Sequence, residues 1–217
     1  MRIGVVHATL NAVKPLVDAF HELDAKIEIC NFVNEELLYQ ANLSGGVESR
    51  GLRSFYRTFM QAAEASVDGI VIACSLYSAY VQTASQLTEK PVIAIDQPMV
   101  ENAVEKGKKI GILATTVSAG PAEEKKILQE AQRVGKNVET EVIVVPEAFA
   151  ALKEGKEALH NELLKEAAVN LKAHLCDTVI LSQITMACAR PEIENLGIKV
   201  LDSPSSGARS LIRQIKF

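Results

Sequence analysis

The chain has 217 residues, of which 48% are hydrophobic and 23% are charged, and its formal net charge is −4. This composition is typical of an ordinary globular protein in water, with ample apolar side chains for a core. The acidic balance and the lack of a long basic cluster argue against nucleic acid as the main partner. No apolar run approaches the roughly eighteen residues of a membrane span.

The first residues, MRIGVVHATL, have a strand pattern instead of the basic stretch, apolar core and cleavage site of an export signal. The four cysteines, Cys30, Cys74, Cys176 and Cys188, form no CxxC pair and no metal-like group with the four histidines. We therefore predict reduced thiols, no metal site and a cytoplasmic location.

Short apolar runs rich in β-branched residues alternate along the chain with longer stretches of helical periodicity. The predicted strands are residues 3–6, 27–29, 70–73, 92–95, 110–114, 142–145, 179–181 and 200–201. The predicted helices are residues 11–23, 52–65, 77–87, 121–134, 156–175 and 191–196, and a last helix opens at residues 205–207. Because the strands are apolar on both faces, this alternation predicts an α/β protein with parallel sheets covered by helices. Residues 42–51, NLSGGVESRG, fit either a flap over a ligand site or a long surface loop.

The alternation restarts in the middle of the chain, and three pairs of segments match in the same order. RIGVVHATLNA (2–12) aligns with KIGILATTVSA (109–119), VDGIVIACSL (67–76) with CDTVILSQIT (176–185), and AIDQP (94–98) with VLDSP (200–204). We predict two similar lobes related by internal duplication, residues 1–97 plus 203–217 with Cys74 and residues 98–202 with Gln183. Ligands of open α/β sheets bind outside the carboxyl ends of the strands, so we expect a ligand cleft between the lobes.

One thiol lies at a turn where such a ligand should bind. In DGIVIACSLYSAY (68–80), an apolar strand ends at Cys74 and a helical pattern follows from Ser75. Free backbone N–H groups at the start of a helix favour a thiolate, and they also bind carboxylates. Inert packing is the alternative, since most buried cysteines act as small hydrophobic residues. We favour a catalytic role for Cys74 and a structural role for the other three cysteines.

These features resemble the aspartate/glutamate/hydantoin racemase superfamily over essentially the whole chain. The residues that carry the resemblance are Ala73-Cys74-Ser75, Leu113-Ala114-Thr115 with Ser118 three residues on, and the closing segment 179–207. In that superfamily one cysteine from each lobe flanks the substrate α-carbon, and the two move protons on opposite faces. The resemblance implies a homodimeric isomerase that acts on amino acids or related carboxylates without a cofactor.

The second lobe departs from the superfamily pattern, because Gln183 stands where the second cysteine is expected, with Thr185 near the family's threonine. In the first lobe, Ser75 and Leu76 replace the usual Asn-Thr. An amide does not titrate near neutral pH, but it can donate a hydrogen bond to a carboxylate or an enolate oxygen. Some one-cysteine members resemble decarboxylases or cis-trans isomerases of a small dicarboxylate, so these reactions stay open beside racemisation.

Other candidate site residues follow the first strand of each predicted lobe, where hydroxyl and amide groups either hold a carboxylate or cap a helix. The predicted substrate-binding residues are Thr9, Asn11, Ser75, Thr115, Thr116, Ser118, Gln183 and Thr185, with His7 and Arg53 as further candidates.

Arg53 shares one predicted helix face with Arg50 and Arg57, where the three arginines either attract an acidic substrate or are simply solvated. Neither a GxGxxG nor a Walker motif occurs, so we expect no nucleotide and no other cofactor. The predicted partner is a small carboxylate substrate. The rival hypothesis is a two-lobed protein that binds a small anion without converting it.

Overall fold

The computed structural model, which describes residues 1–216, divides into two compact units. Residues 1–98 and the C-terminal segment from Pro204 form the first unit, and residues 99–203 form the second. Each unit contains one four-stranded parallel sheet with helices packed against it. The predicted α/β class with two parallel-sheet lobes is confirmed.

The two sheets have the same strand order, β2-β1-β3-β4 in the first unit and β6-β5-β7-β8 in the second. The strands are β1 (Arg2–His7), β2 (Glu28–Val33), β3 (Gly69–Ile72), β4 (Val92–Ala94), β5 (Lys109–Ala114), β6 (Glu139–Val144), β7 (Thr178–Leu181) and β8 (Val200–Asp202). Within each unit all neighbouring strands are parallel, so their carboxyl ends lie at one edge of the sheet. This edge is where ligands of open α/β sheets bind.

Helices connect the strands and cover the sheets. They are α1 (Val13–Leu23), α2 (Glu36–Ser44), α3 (Ser49–Glu64), α4 (Val81–Ser85), α5 (Gln97–Lys106), α6 (Ala119–Arg133), α7 (Pro146–Lys153), α8 (Glu157–Ala173), α9 (Arg190–Glu194) and α10 (Ser203–Ile215). Among residues 1–216, none of the helices combines the length and the apolar character that crossing a bilayer requires.

The first sheet buries alternate residues of each strand on opposite faces. Val6 and Ile72 join a buried cluster with Phe55 of α3. On the other face α10 approaches closely, since a Cβ on Gly69 would lie 2.8 Å from Ile215 Cδ1. The C-terminal helix is therefore part of the core of the first unit.

The second sheet is covered in the same way. Leu113 packs in a cluster with Leu171 of α8, whereas Ile112 and Ile180 pack in a separate cluster with residues of α5 and α6. The contact with α8 is tight, because a Cβ on Gly111 would lie 2.8 Å from Leu171 Cδ1. Both faces of this sheet are therefore buried, as the apolar strand pattern predicts.

All eight predicted strands are present, and the largest difference in their bounds is at β2, which continues to Val33. Sequence analysis missed the helices α2, α5 and α7. In α2 the buried residues are Leu37 and Ala41, and in α7 they are Ala148 and Ala151. Two buried positions are too few to produce a clear helical period in the sequence.

Residues 42–51, interpreted from the sequence as a flap or a long surface loop, are mostly helical. The segment contains the end of α2 and the start of α3, joined by a turn over residues 45–48. Gly45 ends α2 in the left-handed region, with φ 72°. Glycine adopts this conformation without the steric cost of a Cβ atom, and it is therefore a common helix terminator.

Candidate active site

Cys74 lies two residues after the end of β3, at the carboxyl edge of the first sheet. Its backbone is extended, with φ −136° and ψ 114°, and its carbonyl accepts the N–H of Tyr77 at 2.9 Å. This bond opens a short 3₁₀ helix, Ser75–Tyr80, which continues into α4. The N–H groups of Ser75 and Leu76 have no acceptor within such a helix, so they remain hydrogen-bond donors beside the thiol.

Cys74 borders the apolar core of its unit. It is half-buried and packs against the cluster that contains Phe55 and Tyr77. Tyr77 is fully buried, its ring lies 4.8 Å from that of Phe55, and its hydroxyl donates to the carbonyl of Leu37 at 3.3 Å. Burial, followed by the negative charge of a Cys74 thiolate, raises the pKa of Tyr77. Tyr77 is therefore a protonated structural residue next to the thiol, not a base.

Gln183 occupies the corresponding place in the second unit. It follows β7, has an extended backbone with φ −124° and ψ 141°, and precedes a 3₁₀ helix, Ile184–Ala189. The backbone N–H of Thr115 donates to Gln183 Oε1 at 2.8 Å, and Gln183 Nε2 donates to Thr115 Oγ1 at 2.8 Å. Ser182 Oγ also donates to Gln183 Oε1, at 3.2 Å. The amide thus ties the carboxyl ends of β5 and β7 together.

Comparison with protein families identifies the family of the chain. The model of the Asp/Glu/Hydantoin racemase family matches residues 49–211, which is most of the chain and includes both turns. The chain belongs to this family. A comparison with curated proteins found no match.

Solved structures of racemases share the fold. An aspartate racemase homologue from Pyrococcus horikoshii OT3 is 15% identical, with a TM-score of 0.74, 100% of this chain covered and 99% of that chain. Allantoin racemase from Klebsiella pneumoniae is 18% identical, with a TM-score of 0.73 and coverage of 100% and 88%. Glutamate racemase from Aquifex pyrophilus is 24% identical, with a TM-score of 0.60 and coverage of 99% and 84%.

Gln183 places a carboxamide side chain at the turn after β7. A carboxamide neither accepts nor releases a proton near neutral pH, so Gln183 cannot act as an acid or a base. Its oxygen and one Nε2 hydrogen are used by Thr115, which is 2% exposed. Gln183 Nε2 carries a second hydrogen beside the one that Thr115 accepts. The predicted role of Gln183 in substrate binding stays a prediction.

Cys188 is five residues beyond Gln183, in the same 3₁₀ helix. The single S–H of its thiol has two acceptors within reach, Asn161 Oδ1 at 3.3 Å and the carbonyl of Thr185 at 3.4 Å. Burial raises the pKa of Cys188 to about 11, so the thiol is protonated at neutral pH and is a poor base. All four cysteines lie outside disulfides, and burial also raises the pKa of Cys176.

The predicted binding residues of the first unit follow neighbouring strands and meet at its carboxyl edge. Thr9 Oγ1 accepts the N–H of Asn11 at 3.4 Å and thereby caps the 3₁₀ turn before α1. Asn11 and Ser75 are exposed, Asn11 after β1 and Ser75 after β3. The structure therefore brings Thr9, Asn11 and Ser75 to the edge that carries Cys74.

The predicted binding residues of the second unit lie at the carboxyl edge of its own sheet. Thr116 is half-buried, and Ser118 is exposed and precedes α6 without forming a side-chain cap. Thr185 is half-buried in the 3₁₀ helix after Gln183. Ser118 is thus not needed as a helix cap, the structural alternative considered for it.

His7 ends β1 and is fully buried. Its Nε2 lies 2.9 Å from Asn31 Oδ1, and its Nδ1 has no hydrogen-bond partner among the described residues. Burial lowers the pKa of His7, and the bond to Asn31 partly opposes that shift. In the tautomer that places the hydrogen on Nε2, His7 is a neutral ring with a bare, buried Nδ1 acceptor.

Arg50, Arg53 and Arg57 all lie on α3 and are exposed. The N-terminal part of α3 contacts the helix that follows Cys74, since a Cβ on Gly51 would lie 3.1 Å from Tyr77 Oη. Arg53 is two residues beyond this contact and therefore belongs to the part of α3 near the carboxyl edge. Its role in attracting an acidic substrate stays a prediction.

Sequence analysis did not assign a role to two buried carboxylates at the carboxyl edges. Asp96 follows β4, is 5% exposed and accepts the hydroxyl of Ser78 at 2.6 Å. Asp202 ends β8, is 1% exposed and accepts Arg190 Nη1 at 3.0 Å. The available signal was an Asp-x-Pro motif after an apolar strand in each half. Within residues 1–216, no group of three or more His, Cys, Asp or Glu side chains is arranged to hold a metal ion.

Proposed function

We propose that the chain is a cofactor-independent enzyme of the racemase family in which the Cys74 thiol transfers a proton at the carbon next to a carboxylate. The observation that carries the proposal is the place of Cys74, half-buried at the carboxyl end of β3 and at the start of a 3₁₀ helix. Family membership supports this chemistry, since the family is described by racemases of amino acids and hydantoins.

In the proposed step, the Cys74 thiolate removes the proton from the substrate carbon, and the C–H electron pair moves into the carboxylate to form an enediolate. The reverse step returns a proton from the thiol to the carbon and restores the carboxylate, so protons and charge balance without a cofactor. The N–H groups of Ser75 and Leu76 and the hydroxyl of Thr9 are proposed to stabilise the developing oxyanion.

The predicted ligand-binding residues of the second unit are not equally strong candidates. Thr116, Ser118 and Thr185 are proposed carboxylate-binding residues because each is at least partly exposed at the carboxyl edge of the sheet. Thr115 and Gln183 are weaker candidates, since they are bound to each other. The homodimer and the cytoplasmic location also stay predictions.

Racemisation is the reaction that the names of the similar structures suggest, for example aspartate racemase homologue and allantoin racemase. Inversion needs one group to remove a proton and another to deliver one on the opposite face. Gln183 cannot do either, and the pKa of Cys188, raised to about 11, makes it a poor partner.

The bonds between Gln183 and Thr115 favour a second candidate, a reaction that needs one thiol. In a decarboxylation, a substrate with two carboxylates on one carbon loses CO₂, and the thiol protonates the enediolate that remains. In a cis-trans isomerisation, a thiolate adds to a carbon–carbon double bond, the single bond rotates, and the thiolate leaves again. Both reactions fit the single thiol, and the test below separates them from racemisation.

Exchange of substrate α-protons in heavy water tests the proposal. Wild type, Cys74→Ala and the matched Cys30→Ala would be incubated with amino acids, hydroxy acids, malonates and maleate, and deuterium uptake and conversion followed by NMR. Exchange or conversion that survives in Cys30→Ala and is lost in Cys74→Ala is the expected result. Inverted product would indicate racemisation, and CO₂ loss or maleate conversion would indicate the one-thiol reactions.

A folded wild type that binds an acid from the panel but neither exchanges nor converts it would refute the enzyme proposal. That outcome would leave the rival hypothesis, a protein that binds a small anion.

A further inference from the structure

The turn at Cys74 is connected to the neighbouring strand by a buried hydrogen bond that the proposed reaction does not use. Ser78 is the fourth residue of the 3₁₀ helix Ser75–Tyr80 that Cys74 opens, and its Oγ donates to Asp96 Oδ1 at 2.6 Å. Asp96 is 5% exposed, so this bond is shielded from water. A hydrogen bond to a carboxylate in such a place is stronger than one between neutral groups.

The pairing of β3 with β4 brings the segments that follow the two strands side by side. Ile72 pairs with Ala94 across β3 and β4, and the N–H of Ile95 continues the ladder by donating to the carbonyl of Ile72 at 3.1 Å. Cys74 and Asp96 each lie two residues beyond the ends of β3 and β4. The segment after β4 therefore brings a carboxylate to the 3₁₀ helix that follows the thiol, where Ser78 binds it.

A 3₁₀ helix by itself fixes the residue at its N-cap, here Cys74, only weakly. Its hydrogen-bond geometry is poorer than that of an α-helix, and runs of this length are uncommon unless other contacts support them. Tyr77 supports one side of this helix through its packing on Phe55. The bond from Ser78 to Asp96 supports the side next to β4.

We propose that Ser78 and Asp96 are a positioning pair that fixes the Cys74 turn, and hence the direction of the thiol, for proton transfer. The inference deepens the proposed function and rests on it for its effect on turnover. Independently of turnover, the Ser78 hydroxyl should set the orientation of the Cys74 thiol and its access to solvent.

The first test is alkylation of Cys74 by iodoacetamide, measured by peptide mass spectrometry from pH 6 to pH 9 in the full chain. Ser78→Ala should change the Cys74 alkylation rate by about threefold or more across the range, since thiol reactivity depends on access and environment. Ser85→Ala is the matched control, because it removes a serine hydroxyl that bonds within its own helix, to the carbonyl of Gln82 at 2.8 Å. This control should match wild type.

The second test is turnover of whichever substrate the heavy-water panel identifies. Ser78→Ala should lower kcat about tenfold or more with KM nearly unchanged, because a misdirected group loses reaction rate more than binding. Ser78→Thr keeps the hydroxyl donor and should restore both the rate and the alkylation profile. Ser78→Ala combined with Asp96→Asn should cost no more than the worse single change, as expected for residues that act as one pair.

Each result decides the inference. A Ser78→Ala protein that behaves like Ser85→Ala in alkylation would overturn it, and so would a Ser78→Thr protein that behaves like Ser78→Ala. If Ser78→Ala does not fold, two other variants decide the inference instead. Ser78→Thr should match wild type, and Asp96→Asn should have an alkylation rate and a kcat between those of wild type and those expected for Ser78→Ala. If wild type turns over no substrate, the proposed function fails, but the alkylation result still confirms or overturns the positioning pair.

Discussion

The same turn carries a thiol in one unit and an amide in the other. Cys74 and Gln183 each follow the third strand of their unit, β3 or β7, with an extended backbone, and each precedes a six-residue 3₁₀ helix. Gln183 is bound twice to Thr115. In the aligned first-unit segment the place of Thr115 is taken by Ala8, which has no hydroxyl to hold a side chain at position 74.

Under the proposed function, the turn after β3 carries the reactive group and the turn after β7 has a structural role. In the second unit, the side chain at the turn satisfies a buried backbone N–H and a buried hydroxyl, and so it stabilises the ends of two strands. In the first unit, Cys74 packs against the apolar cluster. The helix that follows it is fixed by the bond from Ser78 to Asp96 and by the packing of Tyr77 on Phe55. The comparison predicts that mutation at one turn changes activity and mutation at the other changes stability.

Removing the thiol should have the largest effect of all. Cys74→Ala is expected to lower proton exchange by about a thousandfold or more, because no other group replaces a catalytic thiol. Its cost in unfolding free energy should stay below about 1 kcal/mol, since a half-buried sulfur contributes little apolar burial. Exchange by NMR and urea unfolding measure the two effects. A Cys74→Ala protein with wild-type exchange would remove the distinction between the turns.

Removing the Gln183 amide should lower stability more than removing the Cys74 thiol does. Gln183→Ala leaves the buried N–H and hydroxyl of Thr115 without their partner, which should cost about 1–3 kcal/mol of unfolding free energy. Gln132→Ala, on the exposed side of α6, is the matched control and should change stability by less than about 0.5 kcal/mol. Urea titrations of the two variants give the comparison. Equal unfolding free energies for Gln183→Ala and Gln132→Ala would show that the bonds to Thr115 make no net contribution to stability.

Sequence reasoning located the two turns because the strands before them are apolar on both faces and are therefore easy to recognise. It could not find the partner of Gln183, because Thr115 is 68 residues away and the contact depends on the pairing of β5 with β7. It also assigned one helix to residues 77–87, where a 3₁₀ helix and α4 follow each other. Apolar spacing of three and four residues fits both helix types, and the bond from the Tyr77 N–H to Cys74 decides between them.

The partners of the buried polar groups could not be predicted from the sequence either. Ser78 and Asp96 are 18 residues apart and become partners only when β4 pairs with β3. His7 was a further candidate site residue after the first predicted strand, but its burial and its bare Nδ1 depend on packing. Propensity and spacing place such residues on an element, whereas tertiary contacts decide what they bind.

The first strands of the two units differ in a titratable group, since β1 ends in His7 where β5 ends in Ala114. Burial lowers the pKa of His7 in the folded chain, whereas an unfolded histidine has a pKa of about 6.5. Below about pH 6.5 the unfolded chain therefore takes up a proton that the folded chain does not. The stability that neutral His7 contributes is full above this pH and is lost as the pH falls.

His7→Gln should flatten that dependence, because glutamine stays neutral at every pH in the range. Urea unfolding at pH 8, 7, 6 and 5 should show a smaller loss of stability toward low pH for the variant than for wild type. Asn31→Ala should steepen it, since the bond to Asn31 is what favours the protonated ring. Parallel curves for wild type and His7→Gln would mean that other groups control the acid sensitivity.

The smallest effect is expected where the helices before β3 and β7 end. In the second unit, α8 is followed by Leu175 in the left-handed region, with φ 65°, and its side chain is 82% exposed. In the first unit, α3 is followed by Ala65 in an extended conformation, with φ −70°. A left-handed conformation costs a residue with a Cβ roughly 1–2 kcal/mol, and glycine avoids that cost but loses more entropy on folding.

Leu175→Gly should therefore raise the unfolding free energy by about 0.5 kcal/mol, because the exposed side chain contributes little burial. Ser66→Gly, at the aligned position after α3, has no left-handed strain to relieve and should lower the free energy by about 0.5 kcal/mol. Urea unfolding of both variants beside wild type measures effects of this size when the titrations are run in replicate. A loss of stability in Leu175→Gly would show that the leucine side chain contributes contacts that outweigh its backbone strain, and the two helix ends would then be equivalent.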